Sequence, residues 1–286
     1  MGHGKEKRGP LTDEEQQKKT EVKEKWNAWF QEAKGQMVNA ERTPEETAGL
    51  KTVLTKLLTV NPACYYIWNA RKSLIETELA SLSPEEARKV LTSELHFNTA
   101  SLLKSTDNSK IYPSWYYRRW LLSQLGQEAW LAEPAVWMKQ LAERDTRNFH
   151  VWDHMLTVRA HGALSEDSWR EYVMNGEASN YSLWHQRAGL VRGILDSGDD
   201  VTSTILREFE EVMMANAQDP AGTSYWHYFV WLCSVVAKQE TNEPFAESIE
   251  TIVALAADDP TTALPRDGRR CLERGLGLVG RGELLA

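Results

Sequence analysis

One short motif, an aromatic residue followed three positions later by tryptophan, constrains the fold more than any other feature of the sequence. It occurs as Tyr65–Trp68, Tyr112–Trp115, Phe149–Trp152 and Tyr181–Trp184, and a fifth copy, Thr223–Trp226, has threonine in the first position. Successive tryptophans are 47, 37, 32 and 42 residues apart, the length of one helical hairpin with loops of variable length. The sequence therefore predicts a repeated pair of helices.

A stretch with apolar residues at helical spacing precedes each motif, and a second apolar face follows it. The preceding stretches are Leu50–Leu58, Leu91–Leu103, Val136–Leu141, Trp169–Met174 and Ile205–Met214. Two helix starts are also marked, because Thr43-Pro44-Glu45-Glu46 and Ser83-Pro84-Glu85-Glu86 both have the pattern of a capping box with proline at the first helical position. Long period-two alternation is missing from the sequence. We expect an all-α solenoid of stacked antiparallel hairpins.

Three segments are expected along the chain. Residues 1–20 are predicted to be a mobile N-terminal segment, residues 21–265 the helical-hairpin repeat domain, and residues 266–286 a C-terminal helix or tail that is partly frayed. The N-terminal segment is charged and lacks the apolar stretch of a signal peptide, and an apolar run of 18 residues is found nowhere. We expect a cytoplasmic protein without a membrane span.

The net charge and the positions of the cysteines and histidines exclude several classes of function. A formal net charge of −8 gives no basic face for nucleic acid, so nucleic-acid binding is not expected. Cys64, Cys233 and Cys271 lie far apart and form no C-x-x-C pair, which argues against a disulfide framework or a thiolate zinc site. His150 and His154 are four residues apart, but no H-E-x-x-H motif is completed. We expect no metal site on this chain.

The repeated residues are interpreted as structural. Tryptophans at fixed repeat positions are expected to pack in the core: Trp68, Trp115, Trp152, Trp184 and Trp226. One turn after three of them comes an arginine, Arg71, Arg118 or Arg187, whose guanidinium can bond carbonyls or carboxylates of the adjacent hairpin. Met155 and Phe229 replace this arginine in the third and fifth repeats, which are expected to stack differently or to use another polar partner.

The full pattern, Asn-Tyr-x-x-Trp-x-x-Arg, resembles the repeat of protein prenyltransferase α subunits. It is carried by residues 112–122, 147–153 and 180–187, and the resemblance covers roughly residues 20–235. Within the family the chain is most similar to the Rab geranylgeranyltransferase type. The resemblance implies a right-handed, crescent-shaped superhelix in a heterodimer with a β subunit, an α–α barrel that holds the zinc ion and the lipid pocket. His3 could reach that zinc ion, but we interpret it as part of the mobile terminus.

The reaction implied by the resemblance transfers geranylgeranyl from geranylgeranyl diphosphate to C-terminal cysteines of Rab GTPases presented by an escort protein. The family's diphosphate-directed lysine corresponds to Lys110, since cationic donors stabilise the leaving group. The same pattern places Tyr112, Phe149 and His150 at the pocket. Pro113 stands where farnesyltransferase-type α subunits have the glutamine that binds a substrate carboxylate, which favours the Rab type.

Two alternatives stay open. The chain could be the α subunit shared by farnesyltransferase and type I geranylgeranyltransferase, which differ in their β subunits. It could also be a non-catalytic scaffold similar to a tetratricopeptide protein, although that 34-residue period fits only one of the four spacings well.

Overall fold

The computed structural model describes residues 11–38, 42–133, 135–198, 200–220, 222–257 and 266–285, and His3 lies outside these ranges. The described residues contain helices and no strand, so the all-α prediction is confirmed for them. The helices are α1 Asp13–Val38, α2 Pro44–Val60, α3 Tyr65–Leu79, α4 Pro84–Leu103, α5 Tyr112–Leu125, α6 Gln127–Leu131, α7 Ala135–Arg144, α8 Phe149–Ala160, α9 Glu166–Met174, α10 Tyr181–Ser197, α11 Val201–Gln218, α12 Ser224–Val236, α13 Ala246–Ala257 and α14 Arg266–Leu278. Short 3₁₀ helices cover Asn108–Lys110, Glu243–Phe245 and Gly282–Leu285.

The predicted repeat domain divides into two compact units at Leu164 and Ser165. The N-terminal unit contains α1 to α8, and it has an apolar cluster built mainly on α2, α3 and α5, around Leu54, Ile67 and Trp68. The C-terminal unit contains α9 to α14, with a cluster around Phe209, Trp226 and Leu276. Each unit thus has its own apolar core.

Hairpins form where the motifs predict them. The pairs α2–α3, α4–α5 and α7–α8 contact one another in the N-terminal unit, as do α9–α10 and α11–α12 in the C-terminal unit. The first four motifs begin helices α3, α5, α8 and α10, and the fifth motif begins α12 at Ser224. The second helices of the hairpins also touch in sequence, α3 to α5 to α8 and separately α10 to α12. Within each unit, neighbouring hairpins therefore pack against each other through their second helices.

Both predicted capping boxes are confirmed. Thr43 Oγ1 accepts from the backbone N–H of Glu46 at 3.2 Å, and the Glu46 carboxylate accepts in return from the Thr43 N–H at 2.8 Å. Ser83 and Glu86 make the same reciprocal pair at the start of α4. Satisfying the free N–H groups in this way sets where the first helices of two hairpins begin.

The two ends of the chain add helices to the hairpins. Helix α1 begins at Asp13, inside the segment predicted to be mobile, and α14 runs through Gly275 to Leu278. A Cβ at Gly275 would lie 2.6 Å from Phe229 Cε1, so this glycine lets α14 approach α12 closely. No helix in the described ranges combines the length and apolar character needed to cross a membrane.

Candidate functional site

Two loops of the N-terminal unit are joined at the start of α8. Asn148 is buried, and its Oδ1 caps α8 by accepting from the N–H groups of His150 and Val151 at 3.2 and 3.4 Å. Its Nδ2 donates to the carbonyl and hydroxyl oxygens of Ser109 at 3.1 and 2.8 Å. The 3₁₀ helix that ends at Lys110 is therefore tied to the loop that leads into α8.

Lys110 lies on the first of these loops and reaches the second. Its Nζ forms an ion pair with Asp145 Oδ2 at 2.6 Å, and the lysine side chain is 47% exposed whereas that of the aspartate is 15% exposed. Asp145 is itself held, because Oδ1 accepts from the backbone N–H of Arg147 at 3.3 Å. The carboxylate thus fixes one side of an ammonium group that still reaches solvent.

The three predicted pocket residues form an aromatic group, and one of them, Tyr112, comes two residues after Lys110 in the sequence. The rings of Tyr112 and His150 are 5.9 Å apart and those of Phe149 and His150 are 5.8 Å apart. Tyr112 and Phe149 are exposed, as are Tyr65 and Tyr181 at the same position of other repeats. Burial lowers the pKa of His150, and Arg119 lowers it further while Asp153 opposes them. The imidazole is therefore available as a neutral donor or acceptor at neutral pH.

The repeat tryptophans are buried and anchor the start of their helices. Trp68, Trp115 and Trp184 each donate their Nε1–H to the carbonyl oxygen six residues earlier, at 2.8, 2.7 and 2.8 Å. In the fifth repeat Trp226 is buried too, but Tyr225 takes over this bond, since its hydroxyl donates to Asp219 O at 3.0 Å. These four repeats therefore share a bond to the carbonyl oxygen six residues earlier, although the donor is tryptophan in three of them and tyrosine in the fifth.

Each repeat arginine binds a buried glutamate. Arg71 pairs with Glu94 (Nε to Oε2, 2.6 Å), Arg118 with Glu133 (Nε to Oε1, 2.7 Å) and Arg187 with Glu208 (Nε to Oε2, 2.6 Å). A third side chain, two residues after the following motif's tryptophan, completes the group: Tyr117 donates to Glu94 at 2.9 Å, His154 to Glu133 at 3.2 Å and Tyr228 to Glu208 at 2.7 Å. We call these three groups the arginine clusters.

The repeats without arginine are apolar at that position. Met155 and Phe229 are both fully buried, and Phe229 packs edge-on against Phe209 at 6.1 Å. The sequence raised two possibilities for these repeats, and one was another polar partner. Met155 and Phe229 do not use one. Both side chains pack in apolar surroundings, and the expectation that these repeats stack differently stays a prediction.

The histidine pair on α8 is divided between two environments. His150 is in the exposed aromatic group, whereas His154 is fully buried and bonded to Glu133. Among the residues that the structure describes, no group of three or more histidine, cysteine, aspartate or glutamate side chains is arranged to hold a metal ion.

Sequence reasoning missed four kinds of functional or structural residue. It did not assign Asp145, the Asn148–Ser109 bridge, the cluster glutamates or the side chain that completes each cluster. The asparagine before the aromatic residue was visible in the motif, and the tyrosine or histidine two positions after tryptophan recurs in register. The glutamates carry no such signal, because they follow their arginines by 23, 15 and 21 residues.

Comparison with known proteins gives one consistent result, although no family model matches the chain. The chain is 34% identical over 187 residues to a protein of Mus musculus (62% of this chain, 32% of the relative) and 30% identical over 239 residues to one of Rattus norvegicus (80% and 41%). It is 29% identical over 225 residues to a protein of Saccharomyces cerevisiae (72% and 66%).

The relatives that the chain resembles over 62 to 80% of its length belong to one class, the α subunits of prenyl transferases. More particularly, all three relatives carry the name geranylgeranyl transferase type-2 subunit alpha. The chain spans about a third to two-fifths of the length of the two rodent relatives.

Proposed function

We propose that the chain is the α subunit of a heterodimeric Rab geranylgeranyltransferase, which transfers geranylgeranyl from geranylgeranyl diphosphate to C-terminal cysteines of Rab GTPases presented by an escort protein. The observation that carries the proposal is the similarity to type-2 α subunits across 62 to 80% of the chain, in relatives as distant as rodents and yeast. The enzyme is inactive without its β subunit.

In this proposal the hairpins form a right-handed, crescent-shaped solenoid around the β subunit in the cytoplasm. The β subunit holds the zinc ion and the lipid pocket, and the ion would bind the thiolate of the acceptor cysteine. The part of this chain is then to present charged and aromatic side chains to the diphosphate end of the lipid substrate.

Lys110 is the proposed catalytic residue. Negative charge develops on the diphosphate as its bond to the lipid breaks, and a pre-positioned ammonium group stabilises that charge. The ammonium group of Lys110 is suited to stabilise this charge, because its side chain is half exposed and Asp145 restrains it on one side. Tyr112 and His150 can add a hydroxyl and an imidazole donor beside it, and Phe149 an apolar wall.

A Rab-type enzyme is supported over the farnesyltransferase type by Pro113. This residue is buried in the first turn of α5, and its side chain offers no hydrogen-bond donor for a substrate carboxylate. An enzyme that must bind the C-terminal carboxylate of a short peptide would need another donor there.

Co-expression with a candidate β subunit tests the proposal. The purified heterodimer is expected to transfer geranylgeranyl to a Rab with its escort protein and to be poor with a short C-a-a-X peptide. Preference for the peptide would favour the farnesyltransferase and type I alternative. Failure to recover any barrel-like partner, together with no lipid transfer, would favour the scaffold alternative.

The first prediction concerns the ammonium group. Lys110→Ala is expected to lower kcat roughly ten- to a thousandfold, as for loss of one oxyanion-type donor, while the heterodimer still assembles. Lys104→Ala is the matched control, because Lys104 is exposed and its Nζ donates to Thr59 O at 2.8 Å. Near-wild-type turnover of the Lys110 variant would refute the assignment.

The second prediction concerns the counter-ion. Asp145→Asn keeps the shape of the side chain but removes the charge that holds Lys110, so kcat is expected to fall roughly two- to tenfold. In a Lys110→Ala background the same change should have no further effect on kcat, because the group it positions is gone. Equal losses in both backgrounds would show that Asp145 acts independently of Lys110.

A further inference from the structure

Asn175, the C-cap of α9, is the only asparagine in the sequence that is followed by glycine. Its side chain is exposed and makes no hydrogen bond within the described ranges, and the N–H of Gly176 donates to no backbone carbonyl there. Asparagine is chemically labile, and a following glycine has no Cβ to keep its nitrogen away from the carboxamide. Both groups of a self-modifying pair are therefore exposed and unbound.

Asn108 shows the opposite situation in the same chain. Its Nδ2 donates to Ser101 O at 2.9 Å, and its Oδ1 accepts from Ser105 Oγ at 3.1 Å. The backbone N–H of the next residue, Ser109, donates to Ser105 O at 3.2 Å. The carboxamide and the following nitrogen are thus both held at Asn108, whereas neither is held at Asn175.

Packing requires glycine at position 176. A Cβ there would lie 2.0 Å from Cδ1 and 3.0 Å from Cγ of Leu183, which is buried on α10. Attack on the carboxamide requires rotation about ψ of Asn175, which is 14°, and the last residues of a helix fray locally. The contact with α10 therefore keeps glycine next to an asparagine that has room to turn.

We propose that Asn175 is a site of spontaneous deamidation. The Gly176 nitrogen loses its proton to hydroxide and bonds to Cγ of Asn175, the bond from Cγ to Nδ2 breaks, and ammonia leaves with a proton from water. Water then opens the resulting succinimide ring at either carbonyl, which leaves aspartate or isoaspartate in the chain. The modification does not depend on the function proposed above, because it involves no residue around Lys110.

The product is expected to loosen the hairpin of α9 and α10. Arg187 Nη1 donates to Met174 O at 3.2 Å while its Nε pairs with Glu208 at 2.6 Å, so the third arginine cluster holds the residue just before the site. Isoaspartate adds a methylene to the main chain directly after Met174. The new carboxylate also lies at the negative end of α9, in a cleft that Glu177 and Glu211 already line.

Peptide mass spectrometry tests the proposal on the full 286-residue chain, folded and incubated at mildly alkaline pH. The peptide with Asn175 is expected to gain the mass of an NH-to-O exchange at least about tenfold faster than the peptide with Asn108. A protein isoaspartate methyltransferase with S-adenosylmethionine should then methylate that peptide. Asn175→Gln is the matched control, because it keeps a carboxamide but would have to form a larger ring, and its peptide should stay unchanged.

Hydrogen exchange before and after incubation measures the loosening. Backbone amides of α9 are expected to exchange at least about threefold faster in the modified chain, whereas incubated Asn175→Gln should match its fresh sample. The proposal is overturned if Asn175 deamidates no faster than Asn108 or if its peptide accepts no methyl group. Unchanged exchange of α9 in fully modified chain would overturn the loosening of the hairpin.

Discussion

Two arginine clusters of the N-terminal unit have the same ion pair and differ in the side chain that completes it. In the first, Glu94 accepts from Arg71 and from the hydroxyl of Tyr117, whose ring is 5.0 Å from Trp68. In the second, Glu133 accepts from Arg118 and from Nε2 of His154, whose ring is 5.1 Å from Trp115. Tyrosine and histidine occupy equivalent places, two residues after the next tryptophan.

The difference shows what the fold requires at this position. A buried carboxylate needs its lone pairs satisfied, and either a phenol or an imidazole on the next hairpin can donate to it. The glutamate also accepts from an arginine of the preceding hairpin. The first cluster thereby joins α3, α4 and α5, whereas in the second Glu133 follows α6 and joins α5 to α8. Both clusters are buried under aromatic rings: Trp130 and Trp137 contact His154, with ring centres 6.2 and 6.3 Å away, and Trp120 contacts Tyr117 at 5.3 Å.

The largest expected effect comes from removing the carboxylate of the second cluster. Glu133→Gln leaves the Arg118 guanidinium, which is 2% exposed, without a counter-ion. Breaking a buried pair in this way is expected to lower the free energy of unfolding by about 3–5 kcal/mol. Urea denaturation of the isolated chain, followed by tryptophan fluorescence, measures the change.

Glu128→Gln provides the control for that measurement. Its carboxylate pairs with Arg88 at 3.2 Å, but the glutamate side chain is 81% exposed. Water screens such a pair, so the free energy of unfolding should change by less than about 1 kcal/mol. Similar losses in the two variants would mean that burial does not distinguish the cluster from a surface ion pair.

A smaller effect is expected from the completing side chain of the first cluster. Tyr117→Phe removes one hydrogen bond to a buried, charged acceptor and leaves the ring packing in place, at a cost of about 1.5–3 kcal/mol in unfolding free energy. Tyr228→Phe should behave alike, because Tyr228 makes the same bond to Glu208. Tyr116→Phe, on an exposed residue of the same helix as Tyr117, should be nearly neutral.

The arginine clusters also show how far the sequence leads. The recurring tryptophan and arginine predicted both the hairpins and a carboxylate or carbonyl partner on a neighbouring hairpin, because both follow from local register. The glutamates could not be assigned, since their place depends on how long each loop is and how each hairpin packs. Tyr117 and His154 share a register but not a residue type, so one motif did not capture both.

The candidate site likewise has residues that could be predicted from the sequence and residues that could not. A family resemblance in the sequence pointed to Lys110, Tyr112, Phe149 and His150. The rings of Phe149 and His150 are neighbours on α8, and Tyr112 contacts His150 because α5 and α8 meet. Asp145 and the Asn148–Ser109 bridge depend on a contact between residues about 35 to 40 positions apart. Such long-range pairing of two loops has no local pattern.

The smallest expected effect is a pH dependence of stability near neutrality, which, among the three arginine clusters, only the one with His154 can have. Burial lowers the pKa of His154 below its usual 6.5, with Arg118 and Arg119 acting in the same direction and the bond to Glu133 opposing them. Burial tends to raise the pKa of Glu133, but its bonds to His154 and Arg118 outweigh this and lower it below 4.5. Tyr117, whose pKa is raised by burial and by Glu94, stays protonated throughout.

The sign follows from proton binding. Between pH 6.5 and the lower folded-state pKa of His154, the unfolded chain binds more protons, so the free energy of unfolding falls as pH decreases, by at most about 1.4 kcal/mol per pH unit. The loss through Glu133 begins only further down, below pH 4.5. His154→Gln keeps an amide donor for Glu133 but does not titrate, so the slope between pH 7 and 5.5 should become flatter than in wild type. His150→Gln, the control for the partly buried histidine of the same helix, should leave most of the slope, and an unchanged slope in the His154 variant would contradict this account of the cluster.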